Sequence, residues 1–261
     1  FDPIKSAQNA DNWVFSNVFD PLVRVDKTGT KLEPGVAESW TISADGKVYT
    51  FKIRETKFSD GTPLTASDAA FSLLRIRDDA GSLWRDSYSI MAQAQATDPR
   101  TLVVTLKSPS APFLSQLALP NASVISQQAM KTEGEEAFAE KPVGSGAFSV
   151  KEWLRGEKIV LVKNPNFYDA DEITMETINF YLSDDANNML SNFKNGDWQL
   201  IDDVPTNEIA NLKKDYPDEF KIVGQIGTYY VCWNINENIL PADSTLTGVE
   251  AEKAKEEIRN A

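Results

Sequence analysis

The sequence predicts a mixed α/β protein in which a β-rich middle is inserted between two parts of one α/β unit. Two stretches, 39–53 and 147–162, alternate apolar and polar residues on either side of turn chemistry, the pattern of half-buried hairpins. After about Asp171 the period changes and strand-like and helix-like segments take turns, which favours an α/β arrangement. At 261 residues, with 41% hydrophobic and 25% charged residues, the chain has the length and ordinary composition to bury a core without disulfides. The changes of pattern put boundaries near residues 38 and 170. Residues 1–38 and 171–261 then form one discontinuous α/β lobe, 39–170 form the inserted domain, and the two crossings imply a two-strand hinge.

Each element has its own local cause. Asn12 to Arg24 carries Trp13, Val14, Phe15, Val18, Phe19, Leu22 and Val23 over a helical length interrupted at Pro21, which predicts a short helix leading into a turn. Asp26-Lys27-Thr28-Gly29 and Pro34-Gly35 are turns. Trp40 and Ile42 alternate before Ser43-Ala44-Asp45-Gly46, and Tyr49, Phe51 and Ile53 alternate after it. Ser59 to Pro63 makes a loop, after which Thr65 with Asp68 caps a helix expected to carry Ala70, Phe71 and Leu74 on one face. Leu102, Val104 and Leu106 alternate as a strand, and Pro109 to Pro120 is expected to be irregular. Gly144-Ser145-Gly146 leads into strands Ala147 to Trp153 and Ile159 to Val162 around a turn at Arg155-Gly156-Glu157.

Beyond residue 170, strands are expected at 178–182, 198–201, 220–223 and 228–233, with helices at 186–194, closed by Gly196, and at 206–214. Thr247 and Glu250 form a capping box for a last helix with Val249, Ala251, Ala254 and Ile258 at helical spacing. That helix meets no stop signal, and the first residue is Phe1 rather than Met, so the expectation is an N-terminal piece of a longer, processed chain.

Charge and residue usage exclude several functions. The 26 Lys and Arg against 39 Asp and Glu leave a net charge of -13, which repels nucleic-acid phosphates and anionic lipid alike. Histidine is absent, which removes Ser-His-Asp and Cys-His catalysis, His-ligated zinc, His-bound haem and an imidazole pH switch. The lone Cys232, in Tyr229-Tyr230-Val231-Cys232-Trp233, reads as a small core side chain. No apolar run approaches the ~20 residues of a membrane span.

Asp184-Asp185 and Asp202-Asp203 are the pairs a two-carboxylate glycosidase would use, but a helix cap and a solvated loop end account for them. Asp45-Gly46 and Asp60-Gly61 lack the ligand ladder of a calcium loop, and Gly144-Ser145-Gly146 lacks the rest of a nucleotide motif, leaving it a packing or hinge role. Trp13, Trp40 and Trp153 are expected in the core. Trp84, beside Gly81 and Ser82, and Trp233, before Asn234 and Asn236, are placed to face a ligand. No catalytic residue, metal ligand or cofactor is expected.

Together these motifs resemble a family. Ala37-Glu38-Ser39-Trp40 through Arg54, followed by Phe58-Ser59-Asp60-Gly61-Thr62-Pro63-Leu64-Thr65-Ala66-Ser67-Asp68, is similar to the signature of extracytoplasmic solute-binding proteins of the peptide/nickel class, which serve ABC importers. Asp2-Pro3, Phe19 to Leu22, Gly144 to Phe148, Asn164-Pro165-Asn166-Phe167-Tyr168, Asn195-Gly196-Asp197 and Gly227-Thr228-Tyr229-Tyr230 support it in order, across essentially the whole chain. Asn164 to Asp169 with Ile178-Asn179-Phe180-Tyr181 looks most like the oligopeptide-binding branch.

The resemblance implies a periplasmic-binding-protein-like lobe with the inserted β-rich domain, and a second closing lobe absent from this chain. It implies ligand contacts from Ala7, Gln8 and Asn9 and from Tyr229, Trp233, Asn234 and Asn236, beside the Trp84 read from its surroundings. It further implies a monomer outside the cytoplasm, periplasmic or lipid-anchored, with a peptide ligand and a membrane permease as partners. An enclosed extended peptide needs its main-chain groups paired, and amides such as Gln8, Asn9 and Asn234 offer both donor and acceptor. The same fold carrying an oligosaccharide, nickel chelate or haem, and a carboxylate-dependent hydrolase, are the competing readings.

Overall fold

The computed structural model describes residues 1–222 and Lys253, and the chain divides into two compact units, residues 1–185 and 186–261. The mixed α/β character expected from the sequence is present. The first unit begins with α1 (Asn9–Val18), which buries Val14, Phe15 and Val18. Trp13, expected in the core, is 42% exposed instead, because it shares a face with Asn9 and Asn17, away from that apolar stripe. The short β1 (Asp20–Pro21) follows, then a hairpin of β2 (Val23–Val25) and β3 (Leu32–Pro34), whose turn is tied by Thr30 and Lys31 amides donating to the Asp26 carboxylate.

The predicted hairpin forms as β4 (Ala37–Ile42) and β5 (Val48–Ile53), with Trp40 opposite Phe51 and Gly46 at φ +69° in the turn. Tyr49, Phe51 and Ile53 are buried, whereas Trp40 is half-buried and Ile42 exposed. After β6 (Thr56–Lys57) and β7 (Pro63–Leu64), α2 (Ala66–Asp78) starts in the expected capping box: the Thr65 N–H and hydroxyl donate to Asp68 at 2.9 and 2.7 Å. Its buried stripe is Ala66, Ala69, Ala70, Leu73 and Ile76. Phe71 and Leu74, expected to share the Ala70 face, are half-buried and pack against different cores.

The chain continues through β8 (Met91–Asp98) and β9 (Thr101–Leu106), giving an antiparallel sheet of order β4-β5-β9-β8 against which α2 packs. Within the stretch expected to be irregular, α3 (Phe113–Gln116) is a single helical turn that buries Phe113. Next come β10 (Ser123–Val124), paired with β1, and α4 (Gln127–Glu133) and α5 (Glu135–Glu140), separated by Gly134. The second predicted hairpin is β11 (Phe148–Leu154) and β12 (Lys158–Lys163), and β13 (Thr177–Tyr181) adds antiparallel to β12. One core fills the space between the first sheet and α2; it also takes Ile4, Leu22, Val23 and Val36 from before residue 38. A second core joins α1, α4, α5 and the second sheet, and Val143 packs on both.

In the second unit, α6 (Ala186–Asn195) buries Met189 and Leu190 and is closed by Gly196 at φ +81°. A 3-10 turn at 206–208 leads to α7 (Ile209–Asp215), and Phe193 meets Tyr216 edge-on at 5.3 Å. The strands expected at 198–201 and 220–222 are irregular: a strand exists only when another pairs with it, and among the described residues none does. Val223, the strand expected at 228–233, Cys232 and the last predicted helix lie outside the described residues.

Gly144-Ser145-Gly146 has the packing role expected of it. The Gly146 N–H donates to the Val18 carbonyl at 2.9 Å, and Ser145 Oγ donates to the Val124 carbonyl at 2.6 Å while accepting from the Asp20 N–H at 2.8 Å. Side chains would not fit: a Cβ on Gly144 would lie 2.0 Å from the Val18 carbonyl oxygen, and one on Gly146 2.5 Å from that of Asn17. Beside this crossing, the buried Asp20 carboxylate accepts from Arg24 Nε at 2.6 Å and from the Tyr168 hydroxyl at 2.8 Å. The Arg24 and Arg54 guanidinium groups lie 5.3 and 4.5 Å from the Tyr168 ring centre. Burial pushes the Asp20 carboxyl up, against the pull of Arg24 and Tyr168. Burial and the neighbouring Asp20 charge together raise the Tyr168 hydroxyl.

Gly144→Ala is expected to cost about 3 kcal/mol or more, because main chain would have to move; Gly81→Ala, whose added carbon meets mainly the movable ends of Asp79 and Lys5, should cost under about 1 kcal/mol. Urea unfolding of the two variants reads the difference.

Candidate functional site

The segment before α1 is fixed from behind by charge. Asp2 and Arg75 are both buried and meet through two hydrogen bonds, 2.8 and 2.6 Å, so the guanidinium is satisfied in the planar geometry it favours. Burial pulls the Arg75 pKa down, but the Asp2 hydrogen bond and the charges of Asp2, Glu135 and Asp79 outweigh it and hold it above its ordinary value. Pro3 and Ile4 follow, Ile4 entering the first core, and the Ile4 carbonyl accepts from the Leu83 N–H at 3.0 Å. Lys5 reaches Glu135 on α5, a pair that raises the lysine and lowers the glutamate.

From Ser6 onward the chain turns outward. The Ser6 hydroxyl donates to the Asp11 carboxylate and accepts from the Gln8 N–H at 3.2 Å, and its carbonyl accepts from Trp84 Nε1 at 3.1 Å. Gln8 is the N-cap of α1, yet its side chain makes no capping hydrogen bond. Ala7, Gln8 and Asn9 are exposed and line, with Lys5, Ser6, Asp11 and Leu83, an open cavity of about 610 Å³. Chemically this wall offers free amide donors and acceptors on a main chain tied down on its other side. It can pair with the polar groups of a ligand. A larger open groove of about 820 Å³ along α2, bordered by Phe71, Leu74, Ala94 and Met130, contains no part of that loop. The smaller cavity is therefore the candidate site.

The structure brings Ala7, Gln8 and Asn9 together on one wall. Trp84 is half-buried against the first core, its indole N–H engaged by Ser6, and it does not line the cavity. Tyr229, Trp233, Asn234 and Asn236 lie outside the described residues. The pairs Asp184-Asp185 and Asp202-Asp203 are exposed, beside α6 and in a loop. Among the described residues no group of three His, Cys, Asp or Glu side chains is arranged to hold a metal, and no helix is long and apolar enough to cross a membrane. Sequence reasoning missed Lys5, Asp11 and Leu83 as wall residues. Asp2-Pro3 carried a signal, but the partner of Asp2 is 73 positions away, beyond any local pattern.

Comparison with known proteins follows the same lines. Residues 31–247 match the model described as bacterial extracellular solute-binding proteins, family 5, middle. The chain is 29% identical over 259 residues to the dipeptide-binding protein DppE of Bacillus subtilis, with 90% of this chain and 46% of that protein covered. Among solved structures it is similar to Haemophilus influenzae OppA in complex with the peptide RPPGFSPFR, with a TM-score of 0.77, 27% identity, and 84% of this chain and 47% of that one covered. It is also similar to the binding protein AgaA of A. tumefaciens R10 in complex with agropinic acid, with a TM-score of 0.77, 30% identity, and 82% and 43% covered. The chain spans about half the length of the curated relatives it matches.

Trp84→Phe keeps the ring and removes the donor to Ser6. It is expected to lower stability by about 1 kcal/mol and to speed hydrogen exchange at the Gln8 amide, measured by thermal unfolding and by exchange NMR.

Proposed function

We propose, because the chain belongs to the bacterial extracellular solute-binding proteins of family 5, that it captures oligopeptides outside the cytoplasm and delivers them to the membrane permease of an ABC importer. The observation that carries this reading is the wall formed by Ala7, Gln8 and Asn9: exposed, uncharged at those three positions, and held rigid from behind. An extended peptide presents alternating N–H and C=O groups whatever its side chains, and burying them unpaired is costly. A wall of amides and free main chain pairs them without reading sequence. DppE is named a dipeptide-binding protein and the OppA structure holds a nonapeptide, which supports a peptide as cargo.

On this reading nothing is chemically converted. Chain length that the relatives have and this sequence does not span supplies a lobe to close over the ligand. Closure about the hinge encloses the ligand, and only its greater affinity for the closed form drives the change. The protein acts as a monomer, in the periplasm or lipid-anchored at the outer face of the membrane.

One wall without its opposite buries little of a ligand, so this chain by itself is expected to bind peptides more weakly than micromolar. Calorimetry returning micromolar or tighter affinity would overturn the closing-lobe account. For the whole protein, mass spectrometry of material released on denaturation is expected to detect peptides; a glycan or metal chelate in their place would sink the peptide reading.

A further inference from the structure

We infer that the groove along α2 is a second binding surface of the first unit, where an extended, apolar segment of a partner protein with a basic side chain at one end adds to β8 as the fifth strand of the first sheet. This does not rest on the peptide reading of the Lys5–Asn9 cavity.

β8 is the last strand in the order β4-β5-β9-β8, so one of its edges is unpaired among the described residues. Ala94, Gln95 and Ala96 all line the groove. Successive side chains of a strand point to opposite faces, so three consecutive residues border one groove only where the strand presents its edge. Helix and strand run in opposite directions beside it. Arg77, near the end of α2, donates to the Met91 and Ala92 carbonyls at 3.1 and 2.7 Å, and the Ala66 N–H, at the start of α2, donates to the Pro99 carbonyl at 2.8 Å. Arg77 thus covers one end of the edge. The regular stretch that follows, Gln93 to Ala96 between two bulges, has no such cover among the described residues, no charged side chain and no proline, the devices that keep a free edge from pairing.

The floor of the groove is apolar: Ala70, Phe71 and Leu74 of α2 and Met130 of α4 line it, and Phe71 and Leu74 are only half-buried. Charge is graded along its length. At the start of α2 the lining is neutral, with Ser67 and with Gln127, whose N–H donates to Asp68 at 3.1 Å. At the other end stand Asp78, Asp79 and Glu135, the side chains of Asp78 and Glu135 being 56% and 50% exposed. Their ion-pair partners Arg77 and Lys5 are not part of the lining. Of the two cations that are, Arg75 is buried on Asp2, which leaves Lys131. A strand edge pairs with a strand, an apolar floor takes every second side chain of it, and the acidic end favours a Lys or Arg. From Ser67 to Asp78 the helix runs about 16 Å, the reach of about five extended residues.

NMR titration of the isotope-labelled chain with acetyl-Val-Thr-Leu-Thr-Lys-amide and acetyl-Lys-Thr-Leu-Thr-Val-amide tests this; the two cover both strand directions, and both are capped, as an internal segment of a protein is. One of them is expected to shift the Leu74 methyls and, at saturation, to slow amide exchange within Gln93–Ala96 about tenfold or more. Replacing its Lys by Glu should weaken binding about three- to fivefold, and Asp78→Lys, at an exposed position, should reverse that preference. Unchanged exchange within Gln93–Ala96 with both peptides at millimolar concentration would overturn strand addition. Tighter binding of the uncapped peptides would make the groove a site for free cargo, and a concentration-dependent dimer of the chain alone in sedimentation, lost on adding the peptide, would make its occupant a second copy. Either result would overturn the partner segment.

Discussion

The close main-chain crossing of Gly144-Ser145-Gly146 over the end of α1 sets the position of much else. Two hydrophobic cores meet there, with Val143 in contact with each, and Ser145 bonds both members of the β1–β10 pair. No side chain fits between the two backbones, so their separation is set by main-chain atoms alone. The crossing fixes the last turn of α1, and the first turn of the same helix carries Asn9. A packing constraint at one end of ten residues is in this way conveyed to the candidate site at the other.

The site shows a division of labour between charged and neutral groups. Asp2, Arg75 and Glu135 behind the wall and Lys5 at its edge form a chain of ion pairs across the N-terminal segment, α2 and α5. In front, Ala7, Gln8 and Asn9 present no net charge. Buried or partly buried ions tolerate only a narrow range of geometries, which makes them good anchors, whereas amides accept partners of many kinds. The segment thus combines a fixed frame with an undemanding surface, each built from the residue type suited to it.

What was legible in the sequence was local. Both hairpins, the Thr65–Asp68 capping box and the glycine that closes α6 could be read because their causes lie within a few residues of each other. Trp13 was misassigned because the apolar stretch around it was read as a block, while the helix buries only its Val14–Phe15–Val18 stripe. Phe71 and Leu74 could not be resolved from sequence, since α2 lies between two cores and each side chain belongs to a different one. The segments expected as strands at 198–201 and 220–222 have the composition, but among the described residues no strand pairs with them. Of the site, Ala7–Asn9 came from resemblance to a family, not from pattern. Leu83 carries no pattern of its own in the sequence, and the neighbouring Trp84 packs on the first core and bonds Ser6.

The ion pair between Asp2 and Arg75 joins positions 73 residues apart, with no hydrogen-bonded ladder between them to bring them together step by step. Contacts of that span are made late when a chain folds, after nearer ones have reduced the entropy of closing the loop. The frame behind Ala7–Asn9 is therefore not a property of the N-terminal segment alone: it exists only where α2 has brought Arg75 to Asp2, so a change that loosens α2 reaches the cavity wall without touching it.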